Sequence, residues 1–188
     1  MIDLDFVKSN DFETLALKLY QNTDYHCKKI TNLYLELPHD EIAKKSLHKA
    51  KFQNKVHELD NAATHNYRIE SDSPTAVKLK TVLQLDTVKI NMRIQYPGYV
   101  IPLHIGRHKS FFSEYLTEHE RKIKNYDDIL RYIYFAEDRQ PGQFFQLGRV
   151  DVDWQAGDIY QFPWYLPHAT ANAGTSPRKF LSIVGTRK

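Results

Sequence analysis

The sequence predicts a mainly β protein, a double-sheet jelly roll supported by helices at its N-terminal end. In the second half of the 188-residue chain, about eight or nine short segments have strand character and are separated by turn signals. Apolar residues recur at helical spacing in the first half. No composition break isolates the helical part. We therefore expect one domain over residues 1–188, with 1–72 as helical support and 73–188 as the jelly-roll core.

Length, charge and cysteine content exclude several classes of protein. The net charge of +3 is too small to indicate nucleic-acid binding. Cys27 is the only cysteine, which excludes an internal disulfide and a cysteine-based zinc site and favours a reducing, cytoplasmic compartment. No apolar run reaches the roughly 18–20 residues of a membrane span, and the N-terminus lacks the features of a signal peptide.

Three segments of the first half are predicted to be helical. Asn10 and Glu13 resemble a capping box at the start of the first helix. The second covers about residues 24–36 and is ended by Pro38. The third runs from about 40 to 60 and carries a row of lysines, which we interpret as a solvated face.

Turn residues at Ser71–Pro74 separate this half from the strands. Alternation of apolar and polar residues predicts half-buried antiparallel strands. The predicted strands cover residues 77–83, 88–94, 99–104, 131–135, 144–147, 150–152, 159–162, 168–170 and 180–184. The polar stretch from Ser113 to Asp128 is predicted to be a helical or irregular insertion.

Two histidines and one arginine are the candidate site residues. A jelly-roll barrel can place His104, at a strand end, and His168, on a later strand, opposite each other at one mouth. Neutral imidazoles bind Fe(II) well. Arg178, on the strand after His168, has the planar guanidinium that suits a dicarboxylate. These residues fit an iron site that also binds a dicarboxylate.

The second half resembles the Fe(II)/2-oxoglutarate-dependent oxygenase superfamily over residues 90–185. The matching segments are Gln95–Gly98, His104–Gly106, Arg131–Phe135, Pro141–Phe144, Trp154–Asp158, Pro167–His168 and Arg178. The resemblance implies a double-stranded β-helix, a cupin-like barrel, with His104 and His168 holding Fe(II). It also implies that Arg178 pairs with the distal carboxylate of 2-oxoglutarate, that Tyr132 or Tyr134 adds a hydrogen bond, and that O2 is consumed.

Gly106 departs from the usual pattern of this superfamily, in which the residue two after the first histidine is Asp or Glu. The missing carboxylate opens one coordination position on the iron. Radical halogenases place chloride there, whereas the aspartyl/asparaginyl β-hydroxylases also have His-x-Gly and hydroxylate with water in the gap. We favour halogenation, with hydroxylation as the alternative. A third alternative is that Gly106 is an engineered replacement of a carboxylate.

The remaining candidates have less specific signals. Arg93 and Gln95 share a strand face and either line the cavity and touch substrate or form a solvated face. His108 is interpreted as a rim residue. The expected substrate is a small or amino-acid-like molecule, with no requirement for nucleic acid or a membrane. Two other functions stay open: a non-catalytic jelly-roll binding module and a cupin-like enzyme with a different metal.

Overall fold

A computed structural model describes residues 1–23, 27–37, 65–119 and 122–187. Four helices are present in these ranges: α1 (Leu4–Lys8), α2 (Asp11–Asn22), α3 (Pro74–Leu83) and α4 (Lys109–His119), with a 3-10 turn at Tyr126–Asp128. The strands are β1 (Lys28–Asn32), β2 (His65–Ile69), β3 (Thr87–Gln95), β4 (Tyr99–His104), β5 (Ile129–Phe135), β6 (Gln143–Leu147), β7 (Val150–Asp151), β8 (Asp158–Pro163), β9 (His168–Asn172) and β10 (Arg178–Thr186).

These strands form two antiparallel sheets. The larger sheet has the order β1-β8-β5-β10-β3-β2, and the smaller has the order β4-β9-β6-β7. Aromatic residues from both sheets, including Phe135, Phe145, Phe162 and Phe180, form one buried cluster. The predicted double-stranded β-helix is therefore confirmed, because the two sheets enclose a common core.

The other face of the larger sheet is covered as well, so its inner strand β5 is buried along its whole length. All seven residues of β5 are buried. Ile133 and Phe135 belong to the core between the sheets. Tyr132 and Tyr134 pack in a second cluster, together with Leu79 and other residues of α3. A strand that is buried on both faces loses the alternation of a half-exposed strand.

Two helical predictions and one strand prediction need correction. Residues Lys28–Asn32, inside the predicted second helix, form β1 and pair with β8. β2 pairs with β3. The range 1–72 therefore supplies both edge strands of the larger sheet rather than helical support alone. The predicted helix over 40–60 lies outside the described residues. Asn10 makes no side-chain capping bond, whereas Asp3 accepts from the backbone N–H of Phe6 to cap α1.

The predicted strand over 77–83 is wrong, because these residues belong to α3. Ser73 Oγ accepts a hydrogen bond from the backbone N–H of Ala76, and Pro74 occupies the first helical position. Ala76, Leu79 and Leu83 are buried at helical spacing, while Val77 is exposed. Ser73 and Pro74 therefore begin a helix rather than only forming the predicted turn.

Among the described residues, no helix is long and apolar enough to cross a membrane.

Candidate metal and anion site

His104 and His168 lie side by side rather than opposite each other. They are direct partners across the β4–β9 pair of the smaller sheet. Their ring centroids are 4.2 Å apart, at an interplanar angle of 51°. The structure thus brings the two predicted ligands together, but through neighbouring strands and not across the width of the barrel.

Backbone carbonyls fix the tautomer of both rings. Nδ1 of His104 lies 2.8 Å from the carbonyl oxygen of Pro102, and Nδ1 of His168 lies 3.0 Å from that of Leu166. A carbonyl oxygen only accepts, so each Nδ1 carries the proton and each Nε2 is the basic nitrogen. Metal-binding histidines are commonly oriented in this way by their second ring nitrogen.

Burial keeps both imidazoles neutral. Desolvation, helped by the nearby charge of Arg131, lowers the pKa of His168 well below its ordinary value. Desolvation also lowers the pKa of His104, opposed by its bond to Pro102. A neutral imidazole is the form that binds a metal, so protons compete weakly for the two Nε2 atoms at neutral pH.

Arg131, predicted from the sequence only as part of a strand, lies at the centre of the site. Its Nη2 donates to Nε2 of His168 at 3.0 Å, and its guanidinium carbon lies 4.8 Å from the ring centroid of Phe162. Its Nε and Nη1 are buried without a hydrogen-bond partner. Burial, followed by repulsion from Arg93, lowers the pKa of Arg131 to about 9. The available signal was one arginine within the otherwise apolar run Ile129–Phe135.

Gly106 faces the same guanidinium. A Cβ at Gly106 would lie 2.8 Å from Nη1 of Arg131 and 2.9 Å from Nε2 of His108. The φ angle of Gly106 is not positive, so the backbone does not require glycine there. The absence of a side chain instead leaves room for two basic side chains, those of Arg131 and His108.

His108 points inward, which corrects its interpretation as a rim residue. Its Nε2 is buried and has no hydrogen-bond partner. Desolvation, followed by the charges of Arg131 and Arg93, lowers the pKa of His108 well below its ordinary value. A third neutral imidazole therefore lies beside the histidine pair, at the start of α4.

The donor set fits an iron ion only in part. The described residues contain no group of three or more His, Cys, Asp or Glu side chains arranged to hold a metal. Glu114, the acidic residue that lines the cavity, is bound by Arg68 and Lys89. Two imidazoles suit Fe(II), but their surroundings are cationic, so a bound metal would need anionic partners from solution.

Arg178 is held in a buried polar network behind the histidine pair. It is 1% exposed and donates to the carbonyl of Phe144 at 3.1 Å. Its Nη2 also donates to Oε1 of Gln95 and to Oγ1 of Thr170. Burial lowers the pKa of Arg178 to about 9. Thr170 lines a small inner extension of the cavity together with His168. Because Arg178 donates a hydrogen bond to Thr170, it is one residue removed from that extension.

The remaining candidates, on β3 and β5, differ in whether they reach the cavity. Arg93 lines the cavity, whereas Gln95 is fully buried and contacts Arg178 and Thr170. Tyr132 and Tyr134 pack in the cluster beneath α3, on the face of β5 opposite Arg131. The predicted hydrogen bond from one of these tyrosines to a cosubstrate does not agree with this placement, because successive side chains of a strand point to opposite faces.

A cavity of about 800 Å³ opens beside the histidine pair. Its wall includes His104, Gly106, His108 and Arg131. The first turn of α4 also contributes, through residues 109–111. This volume is typical of small-molecule sites, which usually measure about 300–1,000 Å³.

No protein-family model matches the sequence, and no curated protein is similar to it. Solved structures do match. A prolyl-4-hydroxylase from Pseudomonas putida is 16% identical, with 94% of this chain and 98% of that chain covered and a TM-score of 0.50. An RmlC-like cupin family protein with a double-stranded β-helix fold, from Methanocaldococcus jannaschii, is 10% identical over 70% of this chain and 87% of its own, with a TM-score of 0.39. An oxalate decarboxylase from Lactobacillus farciminis is 18% identical over 70% of this chain and 31% of its own, with a TM-score of 0.39.

At such low identity the similarity to the prolyl-4-hydroxylase defines the fold alone. The chain is a double-stranded β-helix protein. Its histidine pair lies at the end of β4 and the start of β9, beside a cavity with basic walls.

Proposed function

We propose that the chain is an Fe(II)- and 2-oxoglutarate-dependent enzyme that functionalises an unactivated C–H bond. The observation that carries the proposal is the pair His104 and His168, adjacent at the cavity and both protonated on Nδ1. Their Nε2 atoms would hold the iron. When bound, iron with 2-oxoglutarate and O2 supplies the oxidising power needed to break a C–H bond.

The proposed role of Arg178 is to bind the distal carboxylate of 2-oxoglutarate. In the structure its Nη2 donates to the amide oxygen of Gln95 and to Thr170. A carboxylate oxygen would replace the Gln95 oxygen, because a negatively charged acceptor forms a stronger hydrogen bond with a guanidinium than a neutral amide does. The carboxylate can also bind the guanidinium through both oxygens. The rings of Trp154 and Phe180 lie over the guanidinium, each with its centroid 5.2 Å away, and exclude water from this end.

The position beside Gly106 favours an anion from solution, and we therefore propose halogenation with chloride as the co-ligand. Nη1 of Arg131 is unpartnered there, and no carboxylate of the described residues neutralises it. A halide beside this guanidinium would offset its burial cost. Hydroxylation is the alternative outcome if water, which carries no charge, occupies the position.

The iron site is tested by anaerobic addition of Fe(II) and 2-oxoglutarate to the purified protein. We expect a weak visible charge-transfer band that His168→Ala abolishes, because one of the two imidazole ligands is removed. Val100→Ala is the matched control, since Val100 is exposed on β4, the strand that ends at His104. Absence of the band in the unsubstituted protein would contradict the proposal.

Chloride then separates the two outcomes. For a halogenase, chloride should shift the charge-transfer band and appear in the product by mass spectrometry. For a hydroxylase, the spectrum and the product should be indifferent to chloride.

A second candidate function, a non-catalytic binding module, is favoured by one observation. Arg131 donates to Nε2 of His168 at 3.0 Å, so a cationic side chain lies where the metal would bind. In the enzyme this hydrogen bond must break, so that Nε2 of His168 can bind the iron while the guanidinium stays beside Gly106. Release of succinate from 2-oxoglutarate above the level of an iron-free sample would exclude the binding module.

A further inference from the structure

The cavity beside the histidine pair has a strongly basic wall, which we call the basic vestibule. Its cationic side chains come from four different parts of the fold, namely β2, β3, β5 and the α4 region. They are Arg68, Lys89, Arg93, Arg107, Lys109 and Arg131. Asn91, Ser110 and Ser182 add neutral hydrogen-bonding groups, and Glu114 is the only acidic residue among the described lining residues.

Part of this charge is neutralised within the protein. Glu114 accepts two hydrogen bonds of 2.8 Å from Arg68 and one of 2.6 Å from Lys89. Arg107 pairs with Glu13 at 2.6 Å. These contacts neutralise three of the outer cations; they tie α4 to the larger sheet and α2 to the segment between β4 and α4.

The inner cations have no such compensation. Arg93 and Arg131 make no ion pair with a carboxylate among the described residues, and Nε of each is buried without a hydrogen-bond partner. Arg131 gains one neutral acceptor, Nε2 of His168, and neither guanidinium gains a carboxylate, so both lose hydration with little compensation and repel each other. Buried groups left unsatisfied in this way are concentrated at functional sites, where a ligand supplies the missing partner.

Two neighbouring features also favour negative charge in the vestibule. The first turn of α4 lines it, and a helix N-terminus carries a partial positive charge. Asn91 and Ser182 are direct partners on β3 and β10, next to Arg93 on the same face as Asn91. Their amide and hydroxyl groups add hydrogen-bond donors to the wall that carries Arg93.

We infer that the basic vestibule binds an oxyanionic group of the substrate, a carboxylate or a phosphate, with Arg93 as its principal partner. The inference deepens the proposed function, on which it rests, by naming the class of substrate. Arg131 serves the position beside Gly106, and Arg93 lies farther along the wall on β3. A substrate held by its anion at Arg93 would extend toward the histidine pair, because Arg93 and His104 line the same inner extension of the cavity.

The test uses the full chain freed of metal by a chelator, in a buffer without chloride. Isothermal titration calorimetry with inorganic phosphate and, separately, with acetate measures binding without any contribution from iron chemistry. We expect at least one of the two probes to bind. The probe that binds more tightly shows whether the oxyanion of the substrate is a phosphate or a carboxylate. Arg93→Met should weaken that binding at least about tenfold, because charge-assisted, bidentate hydrogen bonds are lost.

Arg149→Met is the matched control, since Arg149 is an exposed arginine outside the vestibule, and it should bind as the unsubstituted chain does. Arg93→Lys keeps the charge and the buried stem, and its affinity should lie between those of the unsubstituted chain and Arg93→Met. If circular dichroism shows that Arg93→Met does not fold, Arg93→Lys is compared with the unsubstituted chain instead.

Binding of neither probe, or equal binding by the unsubstituted chain and the Arg93 variants, would overturn the inference. Because metal is absent throughout, this result is independent of the charge-transfer test. An iron band without oxyanion binding would leave the proposed function standing and reject the vestibule. Oxyanion binding without an iron band would reject the enzyme and retain the vestibule as a binding site.

Discussion

Gly106 is the residue on which the chemistry beside the histidine pair depends. Glycine is often required by a positive φ angle, but Gly106 has none, and Arg131 and His108 occupy the space where its Cβ would be. Two basic groups therefore lie beside Gly106, one of them a guanidinium with an unpartnered nitrogen. Under the proposed function, this environment favours an anion from solution over a neutral ligand at that position.

Restoring the carboxylate should therefore change metal affinity. In Gly106→Asp the new side chain would displace the flexible end of Arg131, pair with it and supply a third ligand. We expect Fe(II) to bind at least about tenfold more tightly by anaerobic calorimetry, with loss of any chloride dependence. Gly106→Asn is the control, because it has the same shape without the charge. Equal affinities of the Asp and Asn variants would contradict the expectation.

At the scale of single elements, α3 shows how a local start signal overrides an alternating pattern. Val77, Leu79, Thr81 and Leu83 alternate with lysines and valine, as a strand would. Ser73 nevertheless caps the helix and Pro74 occupies its first position, and the buried face follows helical spacing. The helix covers the outer face of the larger sheet, so β5 becomes buried on both faces.

The cap makes a direct contribution to stability. Ser73 Oγ accepts from Ala76 and donates to the carbonyl of Glu70 at 2.7 Å. Ser73→Ala should lower the free energy of unfolding by about 1 kcal/mol, measured by urea denaturation. Ser71→Ala is the control, since Ser71 is exposed in the same turn and should change stability little. An unchanged value for Ser73→Ala would mean that tertiary packing alone holds the start of α3.

At the scale of the whole molecule, the charge distribution is uneven although the net charge is only +3. Three imidazoles and two guanidiniums come together between β3, β4, β5, β9 and the start of α4. Glu114, which lines the same cavity, and Glu13 of α2 are both bound by outer cations. The fold therefore carries a buried electrostatic cost in one place, which an anion or a metal with anionic ligands would offset.

This cost should appear as a dependence of stability on pH. The pKa values of His104, His108 and His168 are lowered in the folded chain, with desolvation the largest cause, so the unfolded chain binds more protons just below pH 6.5. The stability contributed by the neutral imidazoles is present above about pH 6.5 and is lost progressively as the pH falls. Urea denaturation of the metal-free protein should therefore show a lower free energy of unfolding at about pH 5.5 than at about pH 7.5.

His168→Gln removes one of the three groups and should make this dependence shallower. The pairs with Arg68 and Lys89 lower the pKa of Glu114 from its ordinary value of 4.5. The stability that these pairs contribute is therefore complete above that ordinary value and is lost only as the pH falls below it. A free energy of unfolding that does not change between about pH 7.5 and 5.5 would contradict the burial of the histidines.

The sequence by itself determined the strands from β3 to β10, the double-sheet architecture and the candidate set His104, His168 and Arg178. Alternation and turn residues are local signals, and the strand-end histidines are recognisable by their position. Tertiary structure decided the rest. Arg93, His108 and Arg131 meet beside Gly106 only because their separate segments are brought to one cavity, and strand pairing between distant segments has no local signature in one sequence. Only packing showed that Arg131 of the apolar strand β5 faces His168 while Tyr132 and Tyr134 face α3, because both faces of β5 are buried and its sequence lacks alternation.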